Sequence, residues 1–262
     1  MNLQLTNKKA FISGSSQGIG FAIANTLAGE GAHVIINGRD EAKLIVAQQR
    51  IISQHPTAKV DYFAADLSLS ESTQDLLKAH PEVDILVNAL GIFEPKEFLN
   101  ISDDEWQRFF NINVLSGVRL SRAFLPAMKQ KDWGRIIFIS SESAVQIPAE
   151  MIHYGTTKTA QLAVSRGIAE TCAGTGITVN AVLPGPTKSE GVVEFVKQVS
   201  GGKTLEEVET EFFESARPSS LIKRFAETQE VANMVAYLCS PLASATTGSA
   251  IRVDGGVIKA CV

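Results

Sequence analysis

Short apolar segments alternate with segments of helical periodicity along the chain, and this alternation restricts the possible folds more than any other feature. The apolar segments cover residues 10–13, 34–36, 60–64, 84–88, 135–140, 177–183 and 251–253. The helical segments cover residues 19–29, 40–54, 70–79, 102–131, 154–173 and 226–239. Apolar residues are continuous within each predicted strand, as is typical of strands buried on both faces of a parallel sheet. The pattern predicts an α/β fold, a doubly wound (Rossmann-type) parallel sheet of about seven strands with helices on both faces.

Residues 184–225 interrupt this alternation between the sixth predicted strand and the last predicted helix. The middle of the interruption, GKTLEEVETEFFES (202–215), predicts a charged amphipathic helix. Long excursions in compact domains often form lids or binding loops, so we expect a substrate lid at 186–225. The alternative is a helix that is solvated on the surface. No linker or shift in composition divides the chain, which predicts a single domain over residues 1–262.

The composition is that of an ordinary globular protein and excludes several partners. Hydrophobic residues make up 45% of the 262 residues, charged residues 20%, and the formal net charge is -4. An acidic chain does not attract a phosphate backbone, so nucleic acid is not an expected partner. No apolar run approaches the length of a membrane-spanning helix, and the first residues, MNLQLTNKKAFIS, lack the apolar region of a signal peptide. We therefore expect a cytoplasmic protein that does not bind membranes.

Histidines and cysteines are few and widely spaced in the sequence. They are His33, His55, His80 and His153, and Cys172, Cys239 and Cys261. The histidines lack metal-ligand spacing, and an odd number of distant cysteines fits reduced structural thiols better than a disulfide framework. We therefore expect no metal site.

A glycine-rich turn joins the first predicted strand to the first predicted helix. It comprises Ser13, Gly14, Ser15, Ser16, Gln17, Gly18, Ile19 and Gly20. Glycines permit a tight turn and let the backbone approach a pyrophosphate, while the helix N-terminus offers free N–H groups and a partial positive charge. In a parallel sheet this position predicts that residues 14–20 bind the phosphates of a dinucleotide.

The end of the second predicted strand indicates which dinucleotide binds. NAD-binding domains place an acidic residue there, about twenty residues after the glycines, to hold the ribose 2′-hydroxyl. This chain has Gly38 at that position, followed by Arg39, and the planar guanidinium of arginine pairs well with a 2′-phosphate. Arg39 therefore favours NADP(H) over NAD(H), while the adjacent Asp40 and the neutral Gln17 argue the other way.

Further motifs follow in a fixed order, and together they resemble the short-chain dehydrogenase/reductase family over nearly the whole chain. The matching residues are Asp66-Leu67 after the third strand, Asn88 and Gly91 after the fourth, Trp106 and Asn113 in the long helix, Ser140-Ser141 after the fifth strand, Tyr154 and Lys158, Pro184-Gly185 after the sixth strand, and Val253-Asp254-Gly255-Gly256. The resemblance implies an oxidoreductase that interconverts a ketone and a secondary alcohol by hydride transfer. It also implies that this single domain binds a dinucleotide.

The chemistry of hydride transfer accounts for several of these residue types. A carbonyl group that accepts a hydride becomes an alkoxide, which needs a proton. Tyr154 precedes Lys158 by four residues, so the two side chains share one face of a helix. Free tyrosine titrates near pH 10, and a nearby ammonium lowers that pKa, so Tyr154 is expected to be the general acid in reduction and the general base in oxidation. Ser141 would hold the carbonyl oxygen, and Lys158 the nicotinamide ribose hydroxyls.

The family resemblance assigns roles to further residues. Asn113 would hold a water in a proton relay that links Lys158 to solvent. A threonine soon after the Pro-Gly pair binds the nicotinamide carboxamide in the family, and here Thr187 and Ser189 are both candidates. The remaining cofactor contacts would come from Asp66 and Leu67 at the adenine, and from Asn88, Gly91, Pro184 and Gly185.

The resemblance is closest in overall look to the 3-oxoacyl-[acyl-carrier-protein] reductase branch, and we expect a small-molecule carbonyl or alcohol as the substrate. We expect the substrate walls to come from Glu94, residues 142–151 and the loop from Thr187 onward, with Glu142, Gln146 and Glu150 making one wall polar. The family also implies a homotetramer or homodimer, with helices 102–131 and 154–173 pairing across an interface. His153, next to the tyrosine, is expected to be a wall or surface residue.

Two alternatives to an NADP(H)-dependent reductase follow from the same sequence. An NAD-dependent alcohol or sugar dehydrogenase would use the same chemistry with the other cofactor. A non-catalytic dinucleotide-binding sensor would lack at least one of four residues, and this chain has all of them, namely Asn113, Ser141, Tyr154 and Lys158.

Overall fold

The computed structural model describes residues 1–192 and 204–261, and a parallel sheet of seven strands runs through its centre. The strands of the protein are β1 (Lys9–Ile12), β2 (His33–Gly38), β3 (Val60–Ala64), β4 (Ile85–Asn88), β5 (Gly134–Ile139), β6 (Ile177–Pro184), β7 (Thr187–Lys188), β8 (Ala226–Glu227) and β9 (Ala250–Val253). The central sheet has the order β3-β2-β1-β4-β5-β6-β9, and every neighbouring pair is parallel. The predicted doubly wound sheet is therefore confirmed. The strand order reverses between β1 and β4, where such sheets bind their ligands.

Helices cover both faces of this sheet. They are α1 (Gly18–Gly29), α2 (Glu41–Gln54), α3 (Ser70–Ala79), α4 (Asp103–Phe110), α5 (Ser116–Lys131), α6 (Ile152–Glu170), α7 (Leu205–Ser215) and α8 (Thr228–Cys239). One core, which contains Ile12, is formed with α1, α2 and α8, and the other, which contains Phe11, with α3, α5 and α6. Adjacent residues of a strand point to opposite faces, and Phe11 and Ile12 are both fully buried. Because helices cover both faces, the sequence of this strand shows no polar alternation.

The helix predicted over residues 102–131 is interrupted by a π-helical turn at Asn111–Leu115. Ser102 and Glu105 form a capping box at the start of α4. Pro126 lies inside α5, which continues to Lys131, so the irregularity is at the π turn and not at the proline. A π turn widens the helix locally and changes the direction of the side chains that follow.

The excursion after β6 contains a helix and a second, small sheet. Helix α7 confirms the predicted helix over its described part, since Gly202 and Lys203 lie outside the described residues. Thr204 and Glu207 form a capping box at its start. Strands β7 and β8 pair with each other, so the predicted helix start at residue 226 is wrong, and α8 begins at Thr228. Residues 187–188 pair with residues 226–227, so a short two-stranded sheet joins the two ends of the excursion.

Aromatic side chains anchor α7 to this segment. The ring centroids of Phe212 and Phe213 each lie 5.3 Å from that of Phe225, and Phe213 and Phe225 are buried. The exposed acidic face of α7 and its buried aromatic face make it amphipathic, as its sequence predicts.

The described residues include no helix that is long and apolar enough to cross a membrane, and no cluster of His, Cys, Asp and Glu that could hold a metal ion. The three cysteines are free thiols. Cys172 and Cys239 are buried and Cys261 is exposed. Burial raises the pKa of the Cys239 thiol to about 12, which makes it unreactive.

Candidate active site

The glycine-rich turn forms a backbone cradle at the N-terminus of α1. Gly14 and Gly18 have φ values of +62° and +63°, in the left-handed region that favours glycine. A Cβ at Gly20 would lie 2.3 Å from the Gly14 carbonyl oxygen, so the turn can close on the helix only because residue 20 has no side chain. The three glycines that the sequence singled out are thus each required by the backbone path.

Ser15 holds this cradle to the neighbouring strand. Its Oγ donates to the Ile12 carbonyl at 2.7 Å and accepts from the Asn37 N–H at 2.9 Å, while its own N–H donates to the Asn37 carbonyl at 2.8 Å. Both polar groups of Ser15 are therefore used within the protein, which makes it a structural residue of the cradle. The other residues of the turn remain partly or fully exposed, namely Ser16, Gln17 and Ile19.

The N-terminus of α1 carries an anionic partner in this structure. Glu190 Oε2 accepts a hydrogen bond from the Gly18 N–H at 2.8 Å. The partial positive charge of a helix N-terminus favours such a carboxylate as it favours a phosphate. The glycine cradle and this bound carboxylate together show that the site fits the pyrophosphate of a dinucleotide. No sequence pattern had indicated Glu190, which lies 172 residues from its partner.

Arg39 follows β2 and extends into solvent beside Asp66. The Arg39 side chain is 78% exposed, and its Nη1 lies 3.7 Å from Asp66 Oδ2. Burial acts to raise the pKa of Asp66, but hydrogen bonds from Ser68 and the charge of Arg39 outweigh it, so this pKa is lowered. Asp40 is instead the N-cap of α2, where its side chain accepts a backbone hydrogen bond. The guanidinium of Arg39 is therefore accessible from solvent. Leu67, the residue after Asp66, is buried.

Asn88 and Gly91 follow β4 at the inner end of the cradle. Asn88 is buried, its Nδ2 donates to Ser121 Oγ at 3.4 Å, and its Oδ1 has no partner among the residues that the structure describes. A Cβ at Gly91 would lie 3.3 Å from Lys158 Nζ and 3.4 Å from Asn113 Oδ1. Gly91 therefore leaves space beside the Lys158 ammonium.

Tyr154 and Lys158 lie on one face of α6, as their spacing predicts. Lys158 Nζ is 5.6 Å from the centroid of the Tyr154 ring and donates to the Ile139 carbonyl at 2.9 Å. Burial lowers the pKa of Lys158 to about 8. The ammonium therefore stays largely protonated at neutral pH in a position close to the phenol.

The pKa of Tyr154 departs from the sequence-based expectation. Burial raises it well above the ordinary value of 10.0, and the negative charge of Glu142 raises it further, while a hydrogen bond with Ser141 and the charge of Arg217 oppose the rise. The expectation of a lowered pKa is therefore wrong for this structure, because desolvation of the phenolate and the nearby carboxylate dominate. Tyr154 keeps its proton at neutral pH.

Ser141 lies at the site, whereas its neighbour Ser140 does not. Ser140 Oγ donates to the Lys158 carbonyl at 2.9 Å, which fastens β5 to α6. Ser141 Oγ accepts from the Ser143 N–H at 3.1 Å and donates to Glu142 Oε2 at 2.5 Å. The choice of Ser141 over Ser140 from spacing agrees with this arrangement.

Gln161 joins Asn113 to Lys158, and sequence reasoning missed it. Gln161 Nε2 donates to the Asn113 carbonyl at 2.5 Å, and its Oε1 accepts from Lys158 Nζ at 3.4 Å. The Asn113 side chain binds the backbone of Ile92 through both its oxygen and its nitrogen, and donates to Thr157 Oγ1 at 3.0 Å. Gln161 could have been identified from the sequence, because it lies three residues after Lys158 on the same helix face.

Glu142, which accepts the hydrogen bond from Ser141, also belongs to a buried ion pair. Arg217 Nε lies 3.1 Å from Glu142 Oε1, and the two side chains are 9% and 6% exposed. Arg217 Nη1 lies 3.2 Å from Glu150 Oε1, so one guanidinium joins two residues of the predicted polar wall. Gln146, the third, donates to Ser219 Oγ at 3.3 Å. Arg217 comes from the segment 204–225, and no sequence pattern had indicated it.

The strand β6 ends at Pro184, and the following residues turn back toward the cradle. Gly185 N–H donates to the Val253 carbonyl at 3.0 Å. Thr187 is buried in β7, and its Oγ1 donates to the Gly185 carbonyl at 2.8 Å. Ser189 borders the cradle, because its Cβ would lie 3.6 Å from a Cβ at Gly18. The two candidates for the nicotinamide contact thus occupy different places.

His153 was expected to be a wall or surface residue, and this is wrong because the structure buries it in the protein. Its side chain is fully buried, and its ring centroid lies 4.0 Å from that of Phe109 and 6.0 Å from that of Trp106. Burial lowers its pKa. The aromatic neighbour of Tyr154 is instead the half-exposed Phe93, with ring centroids 6.4 Å apart.

Glu94, which was expected in the substrate wall, is paired with a cation. Its Oε2 is 2.9 Å from Arg108 Nη2, and both side chains are about half exposed. Its place in the substrate wall stays a prediction.

Known proteins resemble this chain along its whole length. A family profile described as enoyl-(acyl carrier protein) reductase matches residues 14–258. The oxidoreductase YvaG of Bacillus subtilis is 48% identical over 261 residues, which is 99% of each chain. The 3-oxoacyl-[acyl-carrier-protein] reductase FabG of Aquifex aeolicus is 30% identical and covers 98% of this chain and 100% of its own.

A solved structure shows the same fold with its ligands bound. The L-sorbose reductase from Gluconobacter frateurii, complexed with NADPH and L-sorbose, superimposes with a TM-score of 0.93 at 30% identity. The match covers 99% of this chain and 100% of that one.

Proposed function

This chain belongs to the short-chain dehydrogenase/reductase family and is an oxidoreductase acting on CH–OH and C=O groups, and on that premise we propose that it is an NADP(H)-dependent reductase of ketones. The observation that carries the proposal is geometric: the Tyr154 phenol has a hydrogen bond with Ser141, and its ring centroid lies 5.6 Å from the Lys158 ammonium. A phenol that holds its proton at neutral pH is a proton donor, which is what reduction of a carbonyl requires.

The glycine cradle would hold the cofactor pyrophosphate, and Arg39 its 2′-phosphate. When bound, NADPH supplies the hydride that reduces the carbonyl carbon. An exposed guanidinium at the end of β2, with no acidic residue at position 38, supports NADP(H) over NAD(H). The NADPH bound to the related L-sorbose reductase supports the same choice.

Ser141, Tyr154 and Lys158 would divide the remaining work. The Ser141 hydroxyl would donate to the carbonyl oxygen and fix the ketone in place. Tyr154 would transfer its proton to the alkoxide oxygen, and the Lys158 ammonium would stabilise the phenolate that remains. Lys158 would also hold the nicotinamide ribose, and the space that Gly91 leaves beside its Nζ supports this role.

The phenolate must regain a proton before the next turnover. Lys158 Nζ contacts Gln161 Oε1, and Gln161 Nε2 contacts the Asn113 carbonyl in the π turn. We propose that Asn113 holds a relay water through this carbonyl, because its side-chain amide is used by Ile92 and Thr157. Gln161 would position that carbonyl relative to the lysine.

Two substrate classes fit this chemistry. The FabG relative supports a 3-oxoacyl substrate on an acyl carrier protein. The L-sorbose reductase supports a hydroxylated ketone, and the buried Glu142–Arg217 pair favours it, because a polar wall is poorly matched to an acyl chain. The described parts of the segment 186–225, residues 186–192 and 204–225, would then act as a lid, with Arg217 as the contact to the wall, while residues 193–203 lie outside the described residues.

Replacement of Tyr154 by phenylalanine tests the proposal. We expect Tyr154→Phe to lower kcat for NADPH oxidation across a panel of ketones by about 10²- to 10⁴-fold, the usual contribution of a general acid. NADPH affinity, measured by fluorescence, should stay near the wild-type value. Tyr237→Phe, at an exposed tyrosine of α8, is the matched control and should keep full turnover. Undiminished turnover by Tyr154→Phe would refute the assignment.

A further inference from the structure

The single hydroxyl proton of Ser141 is held by Glu142 in this structure. Ser141 Oγ lies 2.5 Å from Glu142 Oε2, and its acceptor side receives the Ser143 N–H at 3.1 Å. A serine that binds a ketone must donate this same proton to the carbonyl oxygen, because a hydroxyl has only one. Binding of a substrate at Ser141 therefore takes away the hydrogen bond that Glu142 Oε2 now receives.

Glu142 is too buried to replace that bond with water freely. Its side chain is 6% exposed, and Arg217 binds its other oxygen, Oε1. Within residues 1–192 and 204–261, no second hydrogen bond reaches Oε2. A buried carboxylate oxygen that loses its donor is unfavourable, since its desolvation is no longer compensated. The bound substrate has to supply a new donor.

The geometry limits where on the substrate this donor can be. A carbonyl oxygen bound to Ser141 lies about 3 Å from Oγ, and Glu142 Oε2 is at 2.5 Å from the same atom. The carboxylate oxygen and the carbonyl oxygen are therefore neighbours around one hydroxyl group. The nearest donor that a ketone can carry is a hydroxyl on the carbon next to the carbonyl.

We infer that Glu142, held in place by Arg217, determines substrate specificity by binding the hydroxyl of an α-hydroxy ketone. This inference rests on the proposed function, since it requires the carbonyl to bind at Ser141. Ser141 turns its proton to the carbonyl oxygen, and the substrate hydroxyl donates to Glu142 Oε2 in its place. A ketone with an apolar group on that carbon leaves the carboxylate without a donor, and a site built in this way rejects it.

Three small ketones separate this hydrogen bond from effects of size and reactivity. Hydroxyacetone carries the hydroxyl, 2-butanone has the same shape without it, and methoxyacetone keeps the electron-withdrawing oxygen but cannot donate. With NADPH, we expect kcat/KM of the wild-type protein for hydroxyacetone to exceed both others by about ten- to a hundredfold, as for a hydrogen bond to a charged acceptor.

Variants assign the preference to Glu142. The double variant Glu142→Leu/Arg217→Met removes both charges together, which proteins tolerate better than one unpaired buried charge, and should bring the ratios to about one. The matched control is Glu230→Gln, which removes a carboxylate paired with Arg224 and does not contact Ser141. It should keep the preference for hydroxyacetone.

The outcomes distinguish this inference from the proposed function. Reduction of all three ketones with equal kcat/KM by the wild-type protein overturns the inference and leaves the proposed reductase intact. A preference that survives in the double variant also overturns it. Absence of NADPH oxidation with every ketone overturns the proposed function and the inference together.

Discussion

Arg217 and Glu142 form a buried ion pair, 3.1 Å between Nε and Oε1, although 75 residues of sequence separate them. The two charges act on the buried phenol of Tyr154 in opposite senses. Glu142 raises its pKa and Arg217 lowers it. Arg217, which comes from the segment after β6, therefore acts electrostatically on the Tyr154 phenol.

This opposition predicts opposite shifts in the pH profile of alcohol oxidation. Oxidation requires deprotonated Tyr154, so kcat/KM rises with pH toward the phenol pKa. Glu142→Gln removes the charge that raises this pKa and should shift the profile to lower pH by about one unit. Arg217→Gln should shift it to higher pH by a similar amount. Shifts in the same direction would contradict an electrostatic effect of the pair on Tyr154.

The exposed guanidinium of Arg39 should determine the cofactor preference. Arg39→Ala removes the partner of the 2′-phosphate, so we expect the ratio of kcat/KM for NADPH over NADH to fall about tenfold, with the loss on NADPH. Lys43→Ala removes an exposed cation from the adjoining helix α2 and is the control. An unchanged ratio in Arg39→Ala would rule out the NADP(H) assignment through this residue.

The carboxylate at the N-terminus of α1 should compete with the cofactor. NADPH must displace Glu190 from the Gly18 N–H to place a phosphate there. Glu190→Gln weakens this internal contact, and we expect the Kd for NADPH, from fluorescence titration, to fall by about two- to tenfold. Glu71→Gln, which removes an exposed charge from α3, should leave it unchanged. Weaker binding by Glu190→Gln would mean that Glu190 assists the cofactor.

His153 should make the folded protein sensitive to acid. Burial lowers its pKa, so the unfolded chain takes up this proton at a higher pH than the folded one. The free energy of unfolding therefore rises with pH up to about 6.5, the pKa of histidine in the unfolded chain. It decreases as the pH falls below that value. Two acidic groups, Glu105 and Glu94, oppose the lowering of this pKa. Two basic groups, Arg108 and Lys96, reinforce it.

Thermal unfolding of His153→Leu measures this effect. The unfolding temperature of the wild-type protein should drop more between about pH 7.5 and about pH 5.5 than that of the variant. His80, whose pKa is also lowered by burial, is present in both proteins, so its contribution cancels. Equal slopes would show that His153 does not titrate in this range.

Phe110 tests the oligomer that the family resemblance implies. It lies on α4 and is 42% exposed, although helices 102–131 and 154–173 were expected to pair across an interface. Phe110→Glu would bury a charge there, so we expect the native mass to fall to that of a smaller assembly. Leu242→Glu, at a residue that is 43% exposed outside these helices, should not change it. Light scattering, which measures the native mass, tests both expectations.

The sequence was most informative where a property depends on neighbouring residues. Strand 60–64 and helix 70–79 have their predicted bounds, because apolar runs and helical periodicity are local features. Tyr154 and Lys158 share a face of α6 for the same reason, since four residues make about one helical turn. The order of these elements along the chain was enough to predict the doubly wound sheet.

Only the tertiary structure decided the surroundings of these residues. The π turn at Asn111–Leu115, the burial of His153 and the raised pKa of Tyr154 depend on packing that no local pattern encodes. The ion pair of Arg217 with Glu142 and the contact of Glu190 with Gly18 join residues 75 and 172 positions apart. A pKa depends on the charges and solvent around a group, and these are present only once distant segments have packed together.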